Sequence, residues 1–77
     1  MLDLISFNYK LYRFREEDAE HLIIYDLRKG NFFVLTGNIK NLLSRFSKNR
    51  YLKVDLDQRE LQFLLKEEII IRGANNE

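Results

Sequence analysis

The chain offers few side chains that could carry out chemistry, and they do not form a catalytic set. His21 is the only histidine, cysteine is absent, and the three glycines are far apart. A nucleophile needs a positioned base, and a metal needs clustered ligands. His21 stands at the start of an apolar stretch, where a structural role is the simpler interpretation. We therefore expect no catalytic residue, no metal and no cofactor in this chain.

Two pairs of adjacent acids, Glu16 with Glu17 and Glu67 with Glu68, are the remaining candidates for acid and base catalysis. Neighbouring carboxylates on loops and helix ends are usually solvated charge. We interpret both pairs in that way.

The charges are unevenly distributed along the chain, although their net value is only +1. Between Leu27 and Val54 every charged residue is basic, and acids flank this stretch on both sides. A basic region attracts anionic partners over a distance. The residues we expect to steer such a partner are Lys40, Arg45, Lys48 and Arg50. A solvated basic face, balanced by nearby acids after folding, explains the same pattern equally well.

The size and composition indicate one small domain, which we place at residues 1–72, with a frayed tail at 73–77. A domain of this size buries only about 60% of the surface that its unfolded chain exposes, so its stability depends on packing or on a partner. No apolar run approaches the roughly 18 residues of a membrane span. The first residues lack the basic start and apolar core of a secretion signal. We expect a cytoplasmic protein.

The first half of the chain has the patterns of β-strands. Apolar residues alternate with polar ones from Leu4 to Leu11, which predicts a first strand that bends or ends near Leu11–Arg13. We expect the charged segment 15–20 to be a solvated connection. Two apolar runs, 22–25 and 32–35, then predict a hairpin whose turn spans Asp26 to Gly30. Three antiparallel strands therefore account for residues 4–36.

The second half has the patterns of two helices. Apolar residues at helical spacing predict a helix at 38–47, capped by Thr36 or Asn38. Residues 52–56 alternate and look extended. Asp57 and Glu60 have the spacing of a capping box, so we predict a second helix at 57–66. Its apolar stripe leaves Phe63 to one side. A β-branched run at 69–71 should fold back onto the core.

The hairpin is more apolar than a small core requires, and this surplus is the main functional signal. Residues 21–27 should lie in the middle of the sheet, and Asn31–Thr36 should form its open edge. An apolar edge promotes aggregation unless something covers it, and an extended peptide can bind there as an added strand. Phe63 would form the other wall of a groove between this strand and the last helix.

Two other functions remain open. A small domain with strands, helices and a basic stretch could be a winged-helix nucleic-acid-binding protein. The acids Asp57 and Glu60 at the start of the last helix would repel DNA, which disfavours this alternative. The chain could also be a small structural subunit of a larger complex, or a homodimer that buries the sheet edge.

Several segments resemble one known family, the PqqD-like peptide recognition elements of ribosomal peptide (RiPP) modification pathways. The similar segments are Tyr12-Arg13-Phe14-Arg15-Glu16-Glu17, the hairpin strands Leu22-Ile23-Ile24-Tyr25-Asp26 and Asn31-Phe32-Phe33-Val34-Leu35, the helix with Ile39, Leu42 and Leu43, and the closing Leu61-Gln62-Phe63-Leu64-Leu65-Lys66-Glu67-Glu68-Ile69-Ile70. Together they span roughly residues 7–72.

The resemblance implies an α+β, winged-helix-like fold, with a three-stranded antiparallel sheet followed by two or three short helices. It implies a non-catalytic module that binds the leader of a precursor peptide along the third strand. The module then delivers the leader, commonly acidic and apolar, to a tailoring enzyme such as a radical SAM enzyme. Carried over to this chain, the peptide-binding residues are Asn31, Phe32, Phe33, Val34 and Leu35 on the strand, and Arg59, Gln62, Phe63 and Lys66 on the last helix.

Overall fold

A computed structural model describes residues 2–73. Their elements, in chain order, are β1 (Asp3–Phe7), β2 (Tyr12–Glu16), β3 (Leu22–Asp26), β4 (Asn31–Leu35), α1 (Gly37–Ser44), a 3₁₀ turn (Arg45–Ser47), β5 (Tyr51–Val54), α2 (Arg59–Lys66) and β6 (Ile70–Arg72). The domain is α+β, with two antiparallel three-stranded sheets and two α-helices in this part of the chain. The sequence had indicated only one of the two sheets.

One sheet contains the predicted hairpin and has the strand order β2-β3-β4. β3 is central and β4 is an edge, as predicted. The turn between them is held by Asp26, whose Oδ1 accepts the amides of Arg28 at 2.9 Å and Lys29 at 3.3 Å. Gly30 ends the turn with φ +73°, a conformation that favours glycine. The predicted turn at 26–30 is therefore confirmed.

The first predicted strand, 4–11, is wrong in its length and in its partners. β1 ends at Phe7, and its neighbours are β5 and β6 rather than the hairpin. Asn8 helps to end the strand, because its Nδ2 donates to Glu68 O at 2.9 Å and its Oδ1 accepts the amide of Lys10 at 3.2 Å. The third strand of the hairpin sheet is β2, which includes Arg15 and Glu16 from the predicted solvated connection.

The predicted extended segment and the β-branched run both contribute to strands. β5 covers most of the predicted 52–56, and β6 covers part of 69–71. Both pair with β1 in the second sheet, whose order is β5-β1-β6. Gly73, predicted to belong to the tail, donates its amide to Leu4 O at 2.7 Å. The rest of that tail, 74–77, lies outside the described residues.

Both helices lie close to their predicted positions, but neither has the predicted cap. α1 and the 3₁₀ turn together cover 37–47, and α2 covers 59–66. Among the described residues, no side-chain hydrogen bond caps the start of α1, and α2 begins after Gln58, also without one. The capping box of Asp57 and Glu60 is therefore wrong. The amide of Asp57 instead binds Asp55 Oδ1 at 3.0 Å, which forms a turn before the helix.

α2 ends in a Schellman motif with an unusual residue. The amide of Ile69 donates to Leu64 O at 2.9 Å, and that of Glu68 donates to Leu65 O at 3.0 Å. In this motif the residue directly before Ile69 must adopt the left-handed conformation, and this position is usually occupied by glycine. Here it is Glu68, with φ +64°. The motif redirects the chain from α2 into β6.

The core joins both sheets and both helices in one cluster of buried side chains. They are Ile5, Phe7, Tyr12, Leu22, Ile24, Leu35, Leu43, Phe46, Leu52, Val54, Leu56, Leu61, Leu64, Ile69 and Ile70. Each strand of the hairpin sheet contributes one face to this core, so the opposite face of that sheet is left outside. Among residues 2–73, no helix has the length and apolar character needed to cross a bilayer.

Candidate functional site

Within residues 2–73, the main chain of β4 has no hydrogen-bond partner along its outer side. β4 bonds to β3 with the register Tyr25↔Phe32 and Ile23↔Val34. Within residues 2–73, no hydrogen bond outside this pairing involves a main-chain or side-chain group of 31–35. In an antiparallel sheet, alternate residues of an edge strand direct their N–H and C=O groups away from the partner strand. β4 therefore presents a free row of donors and acceptors.

The side chains of β4 divide into a core face and a free face. Phe33 packs partly buried against the core, and Leu35 is only 8% exposed. Phe32 is 62% exposed and Val34 is 49% exposed, on the opposite face. Asn31 is also exposed at the start of the strand. Of the five predicted peptide-binding residues on β4, Phe33 and Leu35 therefore direct their side chains into the core and away from a peptide on the free face.

Tyr25 and Ile23 extend the free apolar face onto the central strand, and the predicted site did not include them. Both are partly buried, and the rings of Tyr25 and Phe32 lie with their centroids 6.2 Å apart. The signal was present in the sequence, because a strand apolar at every position must place alternate residues outside the core. A strand added to β4 would continue this apolar face.

The other edge of the same sheet, β2, is more strongly protected. The amide of Tyr12 donates to Asn8 O at 3.0 Å, and Tyr12 O accepts Arg13 Nη1 at 2.8 Å. Arg13 also donates to Tyr9 O and lies over the Tyr9 ring. Arg15 pairs with Glu17 at 2.9 Å. Charged side chains on an edge discourage pairing with another strand.

A polar cluster ties the turn end of this sheet to the end of α2. The buried Tyr12 hydroxyl donates to Glu67 O at 2.7 Å and accepts Arg28 Nη2 at 2.9 Å. Arg28 also pairs with two carboxylates: its Nε lies 3.5 Å from Asp26 Oδ1, and its Nη1 lies 3.5 Å from Glu68 Oε1. Burial raises the pKa of Tyr12, although the charge of Arg28 opposes this shift. The cluster therefore has a structural role: it fixes the sheet against α2.

The pKa of Asp26, in the same cluster, lies below its ordinary value. Burial raises it, but the amides of Arg28 and Lys29 and the charge of Arg28 together outweigh that effect. Asp26 therefore holds the turn as a carboxylate, and the turn places Lys29 just before β4.

The predicted helix residues Arg59, Gln62, Phe63 and Lys66 are all exposed, but two of them face the other sheet. Gln62 and Lys66 line a surface cavity of about 510 Å³ together with residues of β6. Gln62 also donates its side-chain amide to Leu56 O. Phe63 is 45% exposed on another side of the helix. No hydrogen bond, ion pair or ring contact described in residues 2–73 joins β4 to α2, so the shared groove stays a prediction.

The prediction that Lys40, one of the four steering residues, is free to attract an anionic partner is wrong. It is only 7% exposed, because its stem packs inward and its Nζ donates to Ala19 O at 3.0 Å. Long basic side chains can bury their methylene stems while the ammonium group finds a polar partner. Lys40 therefore joins α1 to the β2–β3 connection.

The other three steering residues are exposed, and the described contacts of Arg45 and Arg50 lie with elements other than β4. Arg45 lines a cavity of about 470 Å³ between α1, β5 and α2, and Asp55 and Glu60 line the same cavity. Lys48 follows the 3₁₀ turn, and Arg50 lies over the Tyr51 ring at 5.8 Å from its centroid. The basic residues therefore do not form one patch at the open edge.

His21, the only histidine of the sequence, pairs with Asp18, and the pair has a local structural role. Its Nδ1 lies 2.8 Å from Asp18 Oδ1, which also accepts the amides of Glu20 and His21. The Glu20 amide and the His21 ring hold the pKa of Asp18 below its ordinary value. Asp18 therefore orders the β2–β3 connection. Within the described part of the chain, no group of three or more potential ligands is placed to hold a metal.

Comparison of the chain with known protein families, curated proteins and solved structures found no match. The functional argument therefore rests on the chain's own residues.

Proposed function

We propose that this domain is a non-catalytic module that captures an extended peptide by strand addition to β4. The observation that carries the proposal is the free outer side of β4, with Phe32 and Val34 exposed beside it. Main-chain hydrogen bonds would provide affinity, and alternate side chains of the peptide would rest beside these two residues. The opposite edge, β2, is charged and partly occupied, so it does not offer the same surface.

We propose as its ligand the leader of a ribosomally made precursor peptide, which the module presents to a tailoring enzyme, for example a radical SAM enzyme, in the cytoplasm. This part depends on the resemblance of residues 12–17, 22–35 and 61–70 to PqqD-like elements. In this proposal β2, β3 and β4, followed by α1 and α2, form the winged-helix-like part. The sheet β5-β1-β6 is additional to that pattern.

The experiment is a calorimetric titration of the domain with the leader of a short peptide encoded beside its gene. We expect micromolar or tighter binding, and at least roughly tenfold weaker binding for Phe32→Asp and for Val34→Asp, because about 1.4 kcal/mol corresponds to tenfold. These two side chains are outside the core, so both variants should stay folded by circular dichroism.

Arg15→Gln is the matched control, because Arg15 lies in the same cross-strand row as Val34 but on the other edge. Its affinity should stay close to that of the wild type. Equal loss of binding in Arg15→Gln and Val34→Asp would contradict the proposal. Absence of binding to every peptide encoded near the gene would refute the leader as its ligand.

A further inference from the structure

The edge strand β4 is complementary to a second copy of itself. It contains no charged residue. If two copies meet edge to edge in antiparallel orientation, with Phe33 at the two-fold axis, Phe32 of each copy lies opposite Val34 of the other. Both side chains are on the exposed face, so the two apolar faces become continuous. The arrangement is isologous, as a two-fold dimer requires.

The charges flanking the strand also match in this register. Lys29, in the turn just before β4 of one copy, comes near the C-terminal end of β4 in the second copy. Glu20, Thr36 and Gly37 line one surface cavity of about 340 Å³, so Glu20 is near that end of β4. Lys40 lines the same cavity, but it is buried and its Nζ donates to Ala19 O. The pairing thus brings Lys29 of each copy towards Glu20 of the other. Because the dimer is two-fold symmetric, this approach of opposite charges occurs twice.

The same two-fold pairing is unfavourable at the other edge of the sheet. Antiparallel pairing of two copies through β2, with Phe14 at the axis, places Arg13 opposite Arg15 of the second copy, again twice. Like charges directly opposite across a strand pair are destabilising. β4 is therefore the edge that permits self-pairing, whereas the arginines of β2 oppose it.

We propose that a second copy of this chain caps β4 when no peptide is bound, so that self-association and peptide capture compete for one edge. The capping itself follows from β4, whereas the competition rests on the proposed function. A contact between two strands of five residues is small compared with the roughly 1,200–2,000 Å² of stable interfaces. The cap should therefore be weak enough for a peptide to displace.

Sedimentation velocity of the full chain tests the capping, over concentrations from about 10 µM to about 1 mM, which cover weak association. We expect a reversible monomer–dimer equilibrium. Val34→Lys should abolish the dimer, and Arg15→Gln should leave it unchanged. A chain that stays monomeric up to the highest concentration, or a dimer insensitive to Val34→Lys, would overturn the proposal.

A charge exchange then tests the register. Lys29→Glu and Glu20→Lys, each alone, should weaken dimerisation about fivefold, since each creates two like-charge approaches. The double variant should recover the wild-type dissociation constant. Single effects without recovery in the double variant would overturn the register, because Lys29 and Glu20 would then act separately.

Titration with the leader peptide separates this inference from the proposed function. If both hold, the peptide converts dimer to monomer–peptide complex, and its apparent dissociation constant rises with protein concentration. Dimerisation without peptide binding would refute the proposed function and the competition but retain the cap. Peptide binding by a chain that never dimerises would refute the cap and retain the proposed function.

Discussion

The two edges of the sheet β2-β3-β4 have opposite chemistry, although the same central strand supports both. β2 carries Arg13 and Arg15. Its first residue, Tyr12, bonds to Asn8 O through its amide and to Glu67 O, just after α2, through its hydroxyl. β4 carries exposed Phe32 and Val34, and its outer main chain has no partner in residues 2–73. Edge strands are usually protected against pairing. The difference shows that charged side chains and hydrogen bonds protect the β2 edge of this sheet, whereas the β4 edge lacks this protection among the described residues.

The largest expected effect separates the two faces of β4. Leu35→Ala should lower the free energy of unfolding by about 2–4 kcal/mol, because it removes a side chain from the core. Val34→Ala should lower it by less than about 1 kcal/mol, because this residue is half exposed. Urea denaturation measures both changes. Similar losses in the two variants would show that the outer face of β4 is also packed.

The next effect concerns the attachment of β2. Tyr12→Phe removes the hydroxyl that binds Glu67 O and Arg28, and should lower the free energy of unfolding by about 1–3 kcal/mol. Peptide binding at β4 should not change, because Tyr12 lies on the opposite edge strand. Denaturation and calorimetry measure the two quantities. A loss of affinity larger than the control Arg15→Gln would show that the two edges are coupled.

The smallest effect concerns the end of α2, next to the same cluster. Glu68→Gly should raise the free energy of unfolding by about 0.5–1 kcal/mol, because glycine adopts the left-handed conformation without strain. The lost ion pair with Arg28 is exposed and contributes little. Glu67→Gly is the matched control and should be destabilising, since its φ of −81° suits any residue. Destabilisation by Glu68→Gly would instead show that the ion pair with Arg28 contributes more to stability than the relief of backbone strain at position 68.

Local patterns in the sequence were sufficient for the elements that depend on neighbouring residues. The hairpin, its turn and the two helices follow from apolar spacing and from Asp26 and Gly30. The position of β3 in the middle of its sheet also followed, because both faces of that strand are apolar.

The pairing of distant strands could not be predicted in this way. β1 pairs with β5 and β6, which lie at the other end of the chain, and no local pattern encodes that choice. Tyr12–Glu16 alternates as a strand should, but the many charges of 15–20 favoured a solvated connection and so hid the second half of β2. Lys40 looked solvated because its partner, Ala19 O, comes from another element. Both faces of β4 are apolar in the sequence, so the sequence alone could not tell which face is free. The packing of the sheet against the core determines this.

Amide hydrogen exchange is the most direct test of the central claim that β4, and not β2, accepts another strand. The experiment compares the amides of residues 31–35 with those of 12–16, at low and high protein concentration and after addition of the leader peptide. The account predicts that alternate β4 amides exchange rapidly at low concentration and become protected in the other two conditions, while β2 amides do not change. Protection that appears at β2, or β4 amides unaffected by both additions, would contradict it.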